Sequence, residues 1–206
     1  MSFNIDNLNS THFDVLKEIG NIGAGNATSS LAKMLDKKIY MEVPQVKVVE
    51  FREIEKIIGR AEEPVTGVLL WMEGDLKGVI MIVFKENAAH KLVNMLTGMM
   101  VENLRDYDEM AYSAIKEVGN ILAGSYLSAI STLTGLKILS SVPDIAVDMA
   151  GAIMSVPAIE YGKIGDSVLY IETTFTEGTM KFSGGFFMIP DFESYKILLK
   201  SLGVMD

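Results

Sequence analysis

The strongest constraint on this chain is that it repeats itself once. The stretch E-I-G-N-I-G-A-G-N-A begins at Glu18, and E-V-G-N-I-L-A-G-S-Y begins at Glu117, 99 positions later. The match continues at the same offset to I-Y-M-E-V-P, ending at Pro44, and I-L-S-S-V-P, ending at Pro143. In each copy twenty-two residues separate the Asn (Asn21, Asn120) from the Pro. Self-similarity at a fixed period marks a structural unit that buries its apolar face against another copy of itself. The expected arrangement is one domain over residues 1–206 made of two repeats, approximately 10–100 and 109–204. Asn103 to Asp108 is the seam between them.

Each copy reads as the same order of elements. A helix is expected from Thr11 to Leu35, with Thr11 as N-cap and Asp14 as its acidic partner three residues on. A strand over Lys38–Phe51 follows, rich in β-branched residues. The acidic connector Arg52–Glu63 reads as a solvated loop or short helix. Strands Val65–Met72 and Leu76–Phe84 flank the turn at Glu73-Gly74-Asp75, and Asn87 leads a short helix ending near Gly98. The second copy has a helix over Asp108–Leu133, a strand over Lys137–Met149, strands Val168–Phe175 and Met180–Ile189, and a final helix after Pro190. Hairpins imply antiparallel pairing. The class is therefore α+β, a pseudo-two-fold repeat whose halves share a largely antiparallel sheet.

Residues i, i+4 and i+7 share one face of a helix. Asp14, Glu18, Asn21 and Gly25 form such a stripe, and Ser113, Glu117, Asn120 and Gly124 form its counterpart. The opposite side carries Val15, Leu16, Ile19, Ile22 and Leu31 in the first helix, and Ile115, Val118, Ile121, Leu122 and Ile130 in the second; these are expected to be buried. Core packing does not require the copies to agree on an exposed face, so the agreement there points to chemistry. Asn has one acceptor and two donors on a short stem, which suits it to holding and aiming a water. Glu can form a charge-assisted bond to a partner's cation. Glycine inside a helix costs about 1 kcal/mol relative to alanine. Gly20, Gly23 and Gly25 in one helix therefore imply close approach of a neighbouring helix or of a partner. A single Glu-x-x-Asn on a helix is ordinarily a solvated face; two copies with matched Pro spacing are not explained that way. Pro44 and Pro143 read as structural, marking a strand edge or bulge.

Composition removes other readings. Cysteine is absent, which excludes a disulfide framework, thiolate metal sites and a cysteine nucleophile. The formal net charge of -9 argues against nucleic acid as a partner. His12 and His90 match no metal-ligand spacing, so no metal or cofactor is expected on this chain. The G-N-I-G-A-G run has the wrong spacing for a dinucleotide loop and no strand before it. Ser125 stands mid-helix without a nucleophile-elbow motif. The polar start, Met1 to Asn9, has no apolar run of a signal peptide, and no stretch is long and apolar enough to span a membrane. A cytoplasmic protein is expected.

The pattern Asp/Ser-x-x-x-Glu-x-x-Asn, twenty-two residues, then Pro resembles the CheC/CheX/FliY family of chemotaxis phosphatases. Asp14, Glu18, Asn21 and Pro44 fit it, as do Ser113, Glu117, Asn120 and Pro143. Two copies resemble the two-site CheC type; the chain's end at residue 206 is expected to set it apart from the flagellar FliY type. The resemblance implies a hydrolase acting on the aspartyl-phosphate of a CheY-like response regulator. It implies that Asn21 and Asn120 position water and that Glu18 and Glu117 pair with a receiver lysine. Mg²⁺ would belong to the receiver. A CheD-like protein is the second implied partner, with Asp148, in D-M-A-G-A-I, matching the aspartate used for that contact. The bland alternative for Asp148 is a helix cap. The competing functional class is a non-catalytic module that sequesters the response regulator or regulates a CheD-like enzyme.

Overall fold

A computed structural model describes residues 10–50, 53–103, 106–161 and 167–203. In chain order the elements are α1 (Ser10–Leu35), β1 (Tyr40–Glu50), α2 (Ile54–Ile58), β2 (Pro64–Gly74), β3 (Gly78–Lys85), α3 (Glu86–Thr97), α4 (Glu109–Thr134), β4 (Ile138–Ser140), β5 (Asp144–Met149), α5 (Ala150–Tyr161), β6 (Ser167–Glu177), β7 (Met180–Pro190) and α6 (Phe192–Ser201). The expected strand end at Phe51 and connector start at Arg52 lie outside the described residues, as does the N-terminal stretch.

The seven strands form one sheet in the order β1-β6-β7-β3-β2-β4, with β5 also paired to β2, and every pairing is antiparallel. The two halves exchange their edge strands. β1 of the first half pairs with β6 of the second, while β4 and β5 of the second pair with β2 of the first. The two hairpins, β2–β3 and β6–β7, meet at the centre through β3 and β7. Each half thus completes the other's sheet.

Alternation along the strands divides the core in two. Val68, Leu70, Ile80, Ile82, Phe84, Ile171, Phe175 and Phe186 face a large cluster that also holds α1, α3, α4 and α6 side chains. Met81, Val83, Val168, Tyr170, Phe187 and Ile189 face a smaller one with α2 and α5. The acidic connector contains the short helix α2, whose Ile54 and Ile58 are buried in this second cluster, while Arg60, Ala61 and Glu62 beyond it are exposed.

The prolines fall where each half breaks register. On β1, Val43 and Pro44 together face the single residue Thr173 between the pairs Glu42↔Thr174 and Gln45↔Glu172. One extra residue on one strand is a β-bulge. In the second half Ser141, Val142 and Pro143 separate β4 from β5 opposite Leu70 and Trp71, again one residue too many. This corrects the single strand expected over Lys137–Met149. Proline lacks the N–H that a continuous ladder needs, and Ser141 bridges the gap, its Oγ accepting from Trp71 N at 3.0 Å.

The long helices end alike. Gly135 takes the left-handed conformation after α4 (φ 75°), and Asp36, 99 positions earlier, does so after α1 (φ 50°). Asp is among the few residues that tolerate this region without glycine. Asp108 caps α4, its Oδ1 accepting from Ala111 N at 2.8 Å. Thr11, in contrast, lies inside α1 and is not its N-cap, because the helix already includes Ser10.

Candidate functional site on two paired helices

α1 and α4 pack against each other over the sheet, and glycines set how closely. A Cβ at Gly20 would press on Val43 and Val46 of β1 at 3.2 and 3.1 Å, and one at Gly119 would press on Val68 of β2 at 2.6 Å. These equivalent glycines seat the two helices on the sheet. Gly23 faces the ring of Tyr126 on α4, which occupies the space of a side chain there. Tyr126 is fully buried, its ring centroid 4.4 Å from that of Phe186, and its hydroxyl is paired with Thr173 Oγ1 at 2.9 Å. Burial pushes its phenol up to about 12, partly offset by the Thr173 hydrogen bond.

With these inner faces committed, the motif residues are left outside. Asp14, Glu18, Asn21 and Gly25 are exposed on α1, and Ser113, Glu117, Asn120 and Gly124 are exposed on α4. Leu16, Ile19 and Leu31, and Ile115, Val118, Leu122 and Ile130, are buried as the helical period requires; Val15, Ile22 and Ile121 are only partly so, at the flanks of the buried stripe. Among the described residues none forms a side-chain hydrogen bond or ion pair with Glu18, Asn21, Glu117 or Asn120. Their polar groups are free to meet a molecule from outside. Gly25 and Gly124 differ from the packing glycines, because a Cβ at either would meet nothing within 4 Å. The close approach at Gly20 and Gly23 is thus internal, whereas no neighbour within the chain accounts for glycine at Gly25 or Gly124.

Sequence reading missed the continuation of this surface. Asn120 and Gly124 open onto a shallow polar groove whose other wall is Asn26, Ser29 and Ser30 of α1, with Ser128 on α4. The signal was present: Ser29 and Ser128 stand four residues beyond Gly25 and Gly124 and are themselves 99 apart.

Pro44 and Pro143 are in the edge bulges, away from the helix stripes in sequence and acting on backbone register. Asp148 is elsewhere, exposed on β5 opposite Val65. Its Oδ1 accepts from Met149 N at 2.7 Å. The following helix begins at Ala150, so Asp148 stands one residue outside the N-cap position, and the cap reading is not what the geometry shows. Its neighbour Met149 is an exposed apolar residue, as are Val156 and Ile159 further along α5. α5 itself packs into the second cluster, on the sheet face opposite α1 and α4.

The fold, an interlocked antiparallel sheet carrying two equivalent helices, is shared with solved structures. FliY of Thermotoga maritima superposes with a TM-score of 0.71 at 20% identity, over 98% of this chain and 100% of that one. A chain of the CheX–CheY–BeF3–Mg²⁺ complex from Borrelia burgdorferi gives a TM-score of 0.53 at 18% identity, over 87% and 97%. The CheC-like family profile matches residues 12–48 and 110–147, the two motif helices with the strands that follow them. The protein named CheY-P phosphatase CheC of Bacillus subtilis (strain 168) is 38% identical over 194 residues, covering 92% of this chain and 93% of that protein. The chain belongs to the CheC-like family.

Proposed function

We propose that this protein is a chemotaxis phosphatase that hydrolyses the aspartyl-phosphate of a CheY-like response regulator, and that it carries two copies of the reacting site within one two-repeat domain. The observation that carries the reading is the pair of equivalent, outward, unpartnered Glu/Asn stripes on a chain 38% identical to a CheY-P phosphatase. An acyl phosphate is already reactive. Its hydrolysis needs a water in line with the P–O bond to the aspartate, and charge on the phosphoryl oxygens offset. Asn21 or Asn120 supplies the first by fixing the water with its amide. Mg²⁺ on the receiver supplies the second, and this chain contributes no metal. Water attacks phosphorus, the bond to the aspartate oxygen breaks, and inorganic phosphate and the free carboxylate result. Glu18 or Glu117 pairs with a receiver lysine and fixes the docking. Gly25 or Gly124 lets the receiver backbone come close.

Nothing in this scheme needs a membrane or nucleic acid. No helix of the described residues is long and apolar enough to cross a bilayer, and we place the protein in the cytoplasm with its receiver. A CheD-like protein is the second partner we propose, contacting Asp148 and the exposed apolar Met149 next to it. Asp148→Asn, which removes charge while keeping an acceptor, is expected to lose that contact with thermal stability unchanged; intact binding would remove the assignment.

The test of function is inorganic phosphate release from a phosphorylated, Mg²⁺-loaded receiver. This protein is expected to accelerate it. A module that only sequesters the receiver changes its occupancy and leaves the rate of phosphate loss alone.

A further inference from the structure

We infer that the two motif sites are mutually exclusive: one receiver domain straddles both helices, so each chain binds one receiver at a time. This rests on the reading of the stripes as receiver-docking sites. The first observation is the shared groove. Asn120 and Gly124 of α4 look into the same depression as Asn26, Ser29 and Ser30 of α1. Asn26 and Ser30 are five and nine residues beyond Asn21, about 7 to 14 Å along the helix at ~1.5 Å per residue. A molecule seated on Asn120 therefore rests on α1 beside the other site. The groove walls are uncharged, so they repel neither the acidic nor the basic parts of a protein surface.

The second observation is the Gly23–Tyr126 contact, which fixes the helices at close range. Asn21 is two residues from Gly23 and Asn120 six from Tyr126. With axes 8–10 Å apart, the two asparagines lie within about 20 Å of each other. A domain of even about 100 residues has a radius of gyration near 13 Å, and so a diameter above about 30 Å. Two such bodies cannot both press their active sites onto points this close when one of those points opens toward the other helix. The duplicated motif then gives the receiver two productive ways to land, not two simultaneous turnovers.

The experiment is the mass of the complex in solution, by sedimentation or light scattering, with excess beryllofluoride-activated, Mg²⁺-loaded receiver. The expected result is saturation at one receiver per chain. A second arm places Ser29→Trp, an exposed α1 position outside both Glu-x-x-Asn motifs, in an Asn21→Ala background. It is expected to weaken the remaining Asn120 site by at least tenfold in receiver affinity. Two receivers per chain with normal phosphate release overturns the inference and leaves the proposed function standing. Absence of both binding and phosphate release overturns the proposed function, and the inference with it.

Discussion

The ring of Tyr126 stands where a side chain at Gly23 would be, and this one contact brings α1 and α4 together over the sheet. The Tyr126 ring is fully buried against Phe186 and its hydroxyl is tied to Thr173, so it has no free direction in which to yield. Gly23→Ala is therefore expected to destabilise the fold despite alanine's better helix propensity, by about 1–3 kcal/mol as for other overpacked cores. Gly25→Ala, two residues on, meets open space and is expected to be neutral or stabilising by up to about 1 kcal/mol. Denaturant melts of the two variants check the contrast; equal effects would mean that Gly23 is not the contact point.

Gly25 and Gly124 separate stability from docking. Leu at both positions is expected to leave the melting temperature unchanged or higher, because nothing in the chain is displaced. Receiver binding is expected to fall sharply, because the added side chains stand beside Asn21 and Asn120. Binding at wild-type strength would show that the receiver does not approach this part of the helices.

Glu18 and Glu117 are assigned to a receiver lysine. Glu→Gln at both removes the charge and keeps the shape. Affinity is expected to weaken, and the wild-type affinity to fall with added salt over the range where screening acts. The double variant should be less salt-sensitive than the wild type. Binding indifferent to both changes would remove the ionic role.

Alkaline stability follows from the buried phenols. Tyr126 is raised from 10.0 to about 12, mainly by burial. Tyr170 is likewise raised to about 12, mainly by burial and then by the neighbouring Glu172. The folded state holds these protons more tightly than the unfolded chain does. The stability they contribute is complete below pH 10 and is lost as pH rises through about 12. Tyr126→Phe is expected to flatten the pH dependence in that window, as measured by thermal melts between pH 9 and 12. An unchanged slope would mean that Tyr126 does not take part.

Much of this was legible in the sequence, and the reason is local periodicity. The buried side of α1, read from Leu16, Ile19 and Leu31, and the exposed Glu18 and Asn21 follow from helical spacing. The hairpins followed from their turns. The exchange of β1 and β5 between halves did not, because strand partners are set by long-range packing that no window of sequence contains. Pro143 signalled an edge or bulge, but the apolar residues on either side of it, Ile138 and Leu139 before and Ile145 and Val147 after, read as one strand rather than as β4 and β5. The extent of α5 was hidden by its small residues and by Pro157 within it, which blur the helical signal. The wall of the groove at Ser29 and Ser128 was readable but silent, since serine on an exposed helix carries no distinctive chemistry by itself.

The most direct test of the account is phosphate release by Asn21→Ala/Asn120→Ala. Both residues are exposed and bonded to no described side chain, so the double variant is expected to melt within about 0.5 kcal/mol of wild type per site. Its acceleration of phosphate release from the Mg²⁺-loaded, phosphorylated receiver is expected to drop by on the order of 10²-fold or more, the scale of losing one positioned transition-state group. A folded double variant that releases phosphate at the wild-type rate would contradict the claim that these asparagines aim the attacking water.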